Sequence, residues 1–201
     1  MNDSGATRNV AVFVFDDVEV LDFAGPFEVF SVTGHTRDLQ PFDVYTVGEK
    51  PGEVQARNHL SVTPRFSFGD CPPPDILVIP GGYGTRPLLE NKRVLDWIQT
   101  CAEDAELVLS VCSGALLLAK LGMLDALGAT THESALDELR ALSPTTRVET
   151  GERFVDNGKV VTSAGVAAGI DMSFHIVERL MGEKIALETA RYIEYDWRQG
   201  V

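Results

Sequence analysis

The chain is short of positive charge. Its 201 residues hold 17 Lys and Arg against 30 Asp and Glu, a formal net charge of −13. Nucleic acids and anionic membrane surfaces are recognised by clustered cations, so neither is an expected partner. Apolar runs of the roughly 18 residues needed to span a bilayer are missing, and the polar opening "MNDSGATRNV" has no apolar signal segment. A cytoplasmic protein is the expectation. The three cysteines, Cys71, Cys101 and Cys112, form no Cys-x-x-Cys pair, which speaks against a disulfide framework or a zinc knuckle. The four histidines include no i,i+4 pair, so no metal site is expected. No Gly-Lys-Ser/Thr follows Gly81-Gly82, which excludes a phosphate loop. Repeats, low-complexity tracts and Pro/Gly/Ser linkers are absent too, and residues 1–201 read as one domain.

What remains is an alternation of apolar strands and amphipathic helices. "NVAVFVF" (9–15), "FDVYTVGE" (42–49) and "DILVIPGG" (75–82) read as strands, the first and third buried on both faces. "DFAGPFEVFSV" (22–32) has helical spacing, with Gly25-Pro26 placed to open the helix. "RPLLENKRVLDWIQTCAEDA" (86–105) reads as one amphipathic helix and "ESALDELRAL" (133–142) as a shorter one. "VQARNHLSVTPRFSF" (54–68) looks like an exposed hairpin, and Asn157-Gly158 marks another within 153–165. Two helices, over 167–182 and 183–197, close the chain. The pattern predicts a three-layer α/β/α sandwich with a mainly parallel sheet, flavodoxin-like. Ligands in such folds bind beyond the carboxyl ends of the strands, where Gly81-Gly82 and Cys112 should both lie.

"ELVLSVCSGALLLAKLG" (106–122) turns from strand to helix at Cys112, with Gly114 allowing close packing. Such an elbow holds a side chain exposed above the sheet, often in a strained conformation. A thiol at a helix N-terminus is expected to ionise more readily, because free N–H groups favour its anion. Donors from Ser113 and from Gly81 or Gly82 are expected to converge into an oxyanion-type site. The plainer reading is that a free cysteine is packing. That suits Cys101, on an apolar helical face; Cys71, in a Pro-rich loop, looks incidental.

With these segments quoted, the chain resembles the ThiJ/PfpI superfamily of the class I glutamine amidotransferase-like fold. "VFDDVEVLDFAGPFEVF", "DILVIPGG", "LVLSVCSGALLLAKLGMLD", "ATTHES" and "SAGVAAGIDMSFHIVERLMG" carry the likeness over nearly the whole chain. The Leu-Asp-Phe-x-Gly-Pro core narrows it to isonitrile hydratases and the sensor domains of AraC-type regulators. The chain ends soon after its last helix, so the free-standing type without a helix-turn-helix region is expected. The resemblance implies a cysteine nucleophile at Cys112 on a nucleophile elbow, a small-molecule substrate, no cofactor, and a homodimer. It also implies an acid beside the sulfur, Asp22, whose other reading is a helix N-cap; Glu19 is its competitor. A carboxylate against a thiolate is a like-charge pair, so one of the two should hold a proton. Ser113 stands where many members have His, which removes the usual Cys–His pair. His132 approaches the pocket either as a functional group or as an ordinary helix-start residue, and Glu133 follows it where an aromatic residue is usual. His175 reads as surface or packing. Isonitrile hydration is the implied activity. The alternatives are a redox or small-ligand sensor using the same thiol, and a glyoxalase-like enzyme on the same scaffold.

Overall fold

The computed structural model describes residues 7–197. The expected first ten residues and the closing "EYDWRQGV" lie partly outside that range. In chain order the elements are β1 (Arg8–Phe13), α1 (Val20–Val32), β2 (Phe42–Gly48), β3 (Val54–Ala56), β4 (Leu60–Val62), β5 (Phe66–Ser67), β6 (Ile76–Ile79), α2 (Thr85–Leu88), α3 (Lys92–Asp104), β7 (Leu107–Val111), α4 (Ala115–Lys120), β8 (Gly128–Ala129), α5 (Leu136–Leu142), β9 (Arg147–Val148), β10 (Phe154–Asp156), β11 (Val160–Ser163), α6 (Ala168–Met181) and α7 (Glu183–Tyr192). Seven strands form the main sheet in the order β10-β11-β7-β6-β1-β2-β5. All its pairings are parallel except β10 with β11.

The central strands explain the architecture. Val10 to Phe13, Ile76 to Ile79 and Leu107 to Val111 are buried along their whole length. A strand apolar on both faces must be covered on both. Helices α1, α6 and α7 pack together, and α2, α3, α4 and α5 form a second group. The result is the expected α/β/α arrangement, a mostly parallel sheet flanked by helices. Stacked Phe68 and Trp97 rings, 4.1 Å between centroids, join α3 to the segment after β5.

Three local expectations are corrected. The predicted helix over 86–105 is two helices, α2 and α3, because the Asn91 side chain accepts the Val94 N–H and starts a new one. Pro26 does not open α1 but lies inside it. The bridge between Val18 and Gly82, with Glu19 N–H donating to the Gly81 carbonyl, fixes the chain early enough for the helix to begin at Val20. The segment 54–68 is only partly a hairpin: β3 and β4 pair antiparallel, while β5 joins the main sheet. The Asn157-Gly158 turn joins β10 and β11 as expected.

Candidate active site

Strand β7 ends at Val111, and the chain turns through Cys112–Gly114 into α4. Cys112 has φ +57°, a left-handed conformation that costs a non-glycine residue energy. Both sides of its peptide unit are anchored. Its N–H donates to the Ala164 carbonyl at 3.1 Å, and its carbonyl accepts the Thr131 hydroxyl at 2.7 Å. Gly114 completes the elbow, because a Cβ there would lie 2.1 Å from the Ile79 carbonyl oxygen. The sulfur-bearing residue is 7% exposed, so it opens to a cleft rather than to bulk solvent.

That cleft has a volume of about 220 Å³. Cys112, Ser113, Gly82 and His132 line it together with Glu19, Arg57, Tyr83, Arg86, Ser134 and Val166. Larger hollows of about 420 and 610 Å³ lie elsewhere and contain none of the cleft-lining residues just named. The cleft that holds the elbow cysteine is therefore the candidate site, despite its size.

Asp22 sits in the first turn of α1 and is fully buried. It is not the N-cap; Glu19 holds that position and makes no side-chain cap bond. Asp22 Oδ2 accepts the Gly81 N–H at 3.0 Å, while Oδ1 is buried without a well-formed partner among the described residues. Gly81 permits this approach, since a Cβ there would stand 2.9 Å from Oδ2 and 2.5 Å from the Ser113 nitrogen. Burial drives the Asp22 pKa from 3.8 to about 7; the Gly81 N–H and the Cys112 thiol oppose the rise, and the Glu19 charge adds to it. Val166, at φ +51° on the loop after β11, turns its amide toward the same carboxyl.

The structure overturns the expectation of a readily ionised sulfur. Burial pushes the Cys112 thiol up to about 12, and the Asp22 charge pushes it further than the Ser113 N–H can offset. The short helical turn after Cys112 offers too little dipole to overcome desolvation. The two groups thus carry two protons below about pH 7 and one above it, and the remaining proton rests on sulfur. One member of the pair holding a proton is as expected; which member is not. Cys101 is likewise pushed to about 12 by burial, as befits packing.

The glycine pair also behaves differently from expectation. The Gly81 N–H is given to Asp22, and the Gly82 N–H to Ser113 Oγ at 3.0 Å. Ser113 Oγ is further tied to the Gly82 carbonyl and the Thr85 hydroxyl. The donors expected to converge from Gly81 and Gly82 are therefore already engaged. The Ser113 N–H, which acts on the sulfur, remains. His132 holds the helix-start position of its plainer reading: its Nδ1 caps the short turn before α5, accepting the Ser134 N–H at 3.1 Å, and the residue also lines the cleft. With Nδ1 accepting, the neutral ring carries its proton on Nε2. His175 lies apart, 2.8 Å from Asp156. Among the described residues no cluster of His, Cys, Asp and Glu is arranged to hold a metal ion, and no helix is long and apolar enough to cross a membrane.

Sequence reasoning missed Arg57, Tyr83, Arg86 and Thr131. Arg57 comes from the β3–β4 turn, Tyr83 and Arg86 from the segment after β6, and Thr131 from beyond β8; no local pattern points any of them at Cys112.

A cysteine on a strained elbow beyond a parallel sheet, with a buried carboxyl beside it, defines a class of α/β protein built around one thiol. Within that class the chain belongs to the DJ-1/PfpI family, whose profile matches residues 8–179. It is 32% identical to an isonitrile hydratase of Pseudomonas putida over 186 residues, covering 92% of this chain and 78% of that protein. Against the HTH-type transcriptional regulator GbdR of Pseudomonas aeruginosa it is 21% identical over 94% of this chain, spanning about half (51%) of the regulator. The crystal structure of a ThiJ/PfpI family protein from Pseudomonas syringae superposes with a TM-score of 0.86 at 28% identity, covering 98% of this chain and 78% of that one.

Proposed function

We propose that this protein hydrates an isonitrile to an N-substituted formamide, with Cys112 as nucleophile and Asp22 as its acid–base partner. The observation that carries the reading is the buried Asp22 carboxyl, raised to about 7, set against the Cys112 thiol. Likeness to a P. putida isonitrile hydratase supports the choice of substrate.

Above pH 7 the resting pair is a thiol beside a carboxylate. As sulfur bonds to the terminal carbon of R–NC, Asp22 takes the thiol proton and delivers it to the same carbon, giving the thioimidate R–N=CH–S–Cys112. Asp22, again a carboxylate, then draws a proton from water as its oxygen adds to that carbon. The C–S bond breaks, the nitrogen gains a proton, and R–NH–CHO leaves with the Cys112 thiol restored. The sum is R–NC plus water. The Ser113 N–H steadies the sulfur when it leaves, and the His132 Nε2–H is the free donor for the substrate nitrogen. No cofactor is needed, since the chemistry is addition and elimination without net redox change.

Chromatographic detection of the formamide from cyclohexyl isocyanide tests this. Wild type should form product and Cys112→Ala should not; no product from wild type refutes the reading. The second reading is a sensor in which the thiol is modified rather than turned over. Likeness over nearly the whole chain to part of a transcriptional regulator favours it. Selective peroxide oxidation of Cys112 with no turnover would select it.

A further inference from the structure

Two guanidinium groups line the Cys112 cleft of a chain whose net charge is −13, and they are in different states. Arg86 is occupied: it grips Glu138 with two hydrogen bonds, at 2.7 and 3.2 Å, and reaches the Gly82 carbonyl at 3.3 Å. Arg57 is not. Its only ionic neighbour among the described residues is Glu19, 4.0 Å away and beyond hydrogen-bond range. Among the described residues no hydrogen bond uses any of its five side-chain N–H groups, although the side chain is three-quarters buried. A guanidinium so enclosed normally has acceptors.

The surrounding structure holds Arg57 in this position. The β3–β4 hairpin is bonded to the loop after β1 by Asp17 N–H to the Gln55 carbonyl (2.7 Å), Gln55 N–H to Asp16 Oδ1 (2.8 Å) and Arg57 N–H to the Val18 carbonyl (2.9 Å). Asn58 and His59 follow, both left-handed at φ +57° and +63°. The central carbon of the guanidinium sits over the Tyr83 ring, 3.9 Å from its centroid, and Tyr83 is itself 67% exposed at the mouth. That contact braces the guanidinium without using its N–H donors, and a guanidinium can take a carboxylate through two parallel hydrogen bonds. Glu19 in the same cleft favours a singly charged anion over a phosphate dianion.

We propose that Arg57, braced on Tyr83, is a recognition site for the carboxylate of a small carboxylate-bearing electrophile whose reactive carbon meets Cys112. This rests on Cys112 being the reactive group of the cleft, and it names a substrate class within the reading above. The volume holds about seven water-sized groups, enough for a carboxylate, a short spacer and a reacting carbon.

Iodoacetate and iodoacetamide present the same reacting carbon to sulfur, which displaces iodide, and differ chiefly in the charge of the remote end. The readout is the ratio of their second-order rates at Cys112, by mass spectrometry, referred to the same ratio for N-acetylcysteine. The referred ratio should be roughly tenfold above one in wild type and fall to about one in Arg57→Gln. A general change in Cys112 reactivity cancels in the ratio. A wild-type value of one, or a raised value that survives Arg57→Gln, overturns the proposal. Absence of formamide in the hydratase assay leaves this readout intact, so the two failures are distinguishable. If neither reagent modifies Cys112, propionate against propionamide is titrated while the Arg57 Nε–H resonance is followed; a shift with propionate alone supports the carboxylate site, and none refutes it.

Discussion

Replacing Asp22 by Asn removes the buried acid while keeping a side-chain oxygen for the Gly81 N–H. In the folded protein the carboxyl ionises near 7 instead of 3.8, chiefly because it is buried. Between those pH values the native state binds a proton that the unfolded chain has released. The contribution of Asp22 to stability should therefore be fully present below pH 3.8 and be lost as pH rises through 7. At about 1.4 kcal/mol per pH unit, the rise amounts to about 4 kcal/mol of lost stability by pH 8. The Asn variant cannot ionise and escapes the loss. Urea unfolding of both proteins at pH 4.5, 6 and 8 measures it. The difference in favour of Asp22→Asn should grow with pH by an amount of that order, and the variant should be the more stable at pH 8. A difference that stays constant from pH 4.5 to 8 would show that Asp22 is not held uncharged by burial, and the reasoning about the pair would fail with it.

Gly114→Ala places a methyl 2.1 Å from the backbone oxygen of Ile79, which has no rotamer to yield; destabilisation of roughly 3 kcal/mol or more is expected, read as loss of the cooperative thermal transition. Thr131→Val removes the 2.7 Å bond to the Cys112 carbonyl, which then keeps only the Ala115 N–H of the turn. It should destabilise by roughly 0.5–1.5 kcal/mol in denaturant and slow Cys112 alkylation, while Thr131→Ser restores both.

Much of the architecture could be read from one dimension. Strands such as "ILVI" announce burial on both faces by having no polar face, and the strand–Cys–Gly–helix order located the elbow without help from any relative. Asp22 needed the family resemblance, because an acid ahead of an apolar helix reads equally well as a cap. The ionisation state was misread because sequence shows the helix start but not the depth of burial that outweighs it. The glycine donors were misassigned for a related reason: whether an N–H is free depends on partners such as Ser113 Oγ and Asp22 Oδ2, 31 and 59 residues away along the chain. Arg57 was invisible because its role comes from the hairpin folding back onto the loop after β1. That contact is non-local, and the turn "ARNH" has no pattern that predicts it.

In the proposed mechanism Asp22, rather than a helix terminus, controls the proton of Cys112. The pH dependence of Cys112 alkylation by iodoacetamide tests it most directly, in wild type and in Asp22→Asn. The wild-type rate should rise with a midpoint near 7, where Asp22 becomes able to take the thiol proton, and the variant's midpoint should move above the ordinary thiol value of 9.0. A thiol already fully reactive at pH 5, or the same midpoint in both proteins, would contradict it.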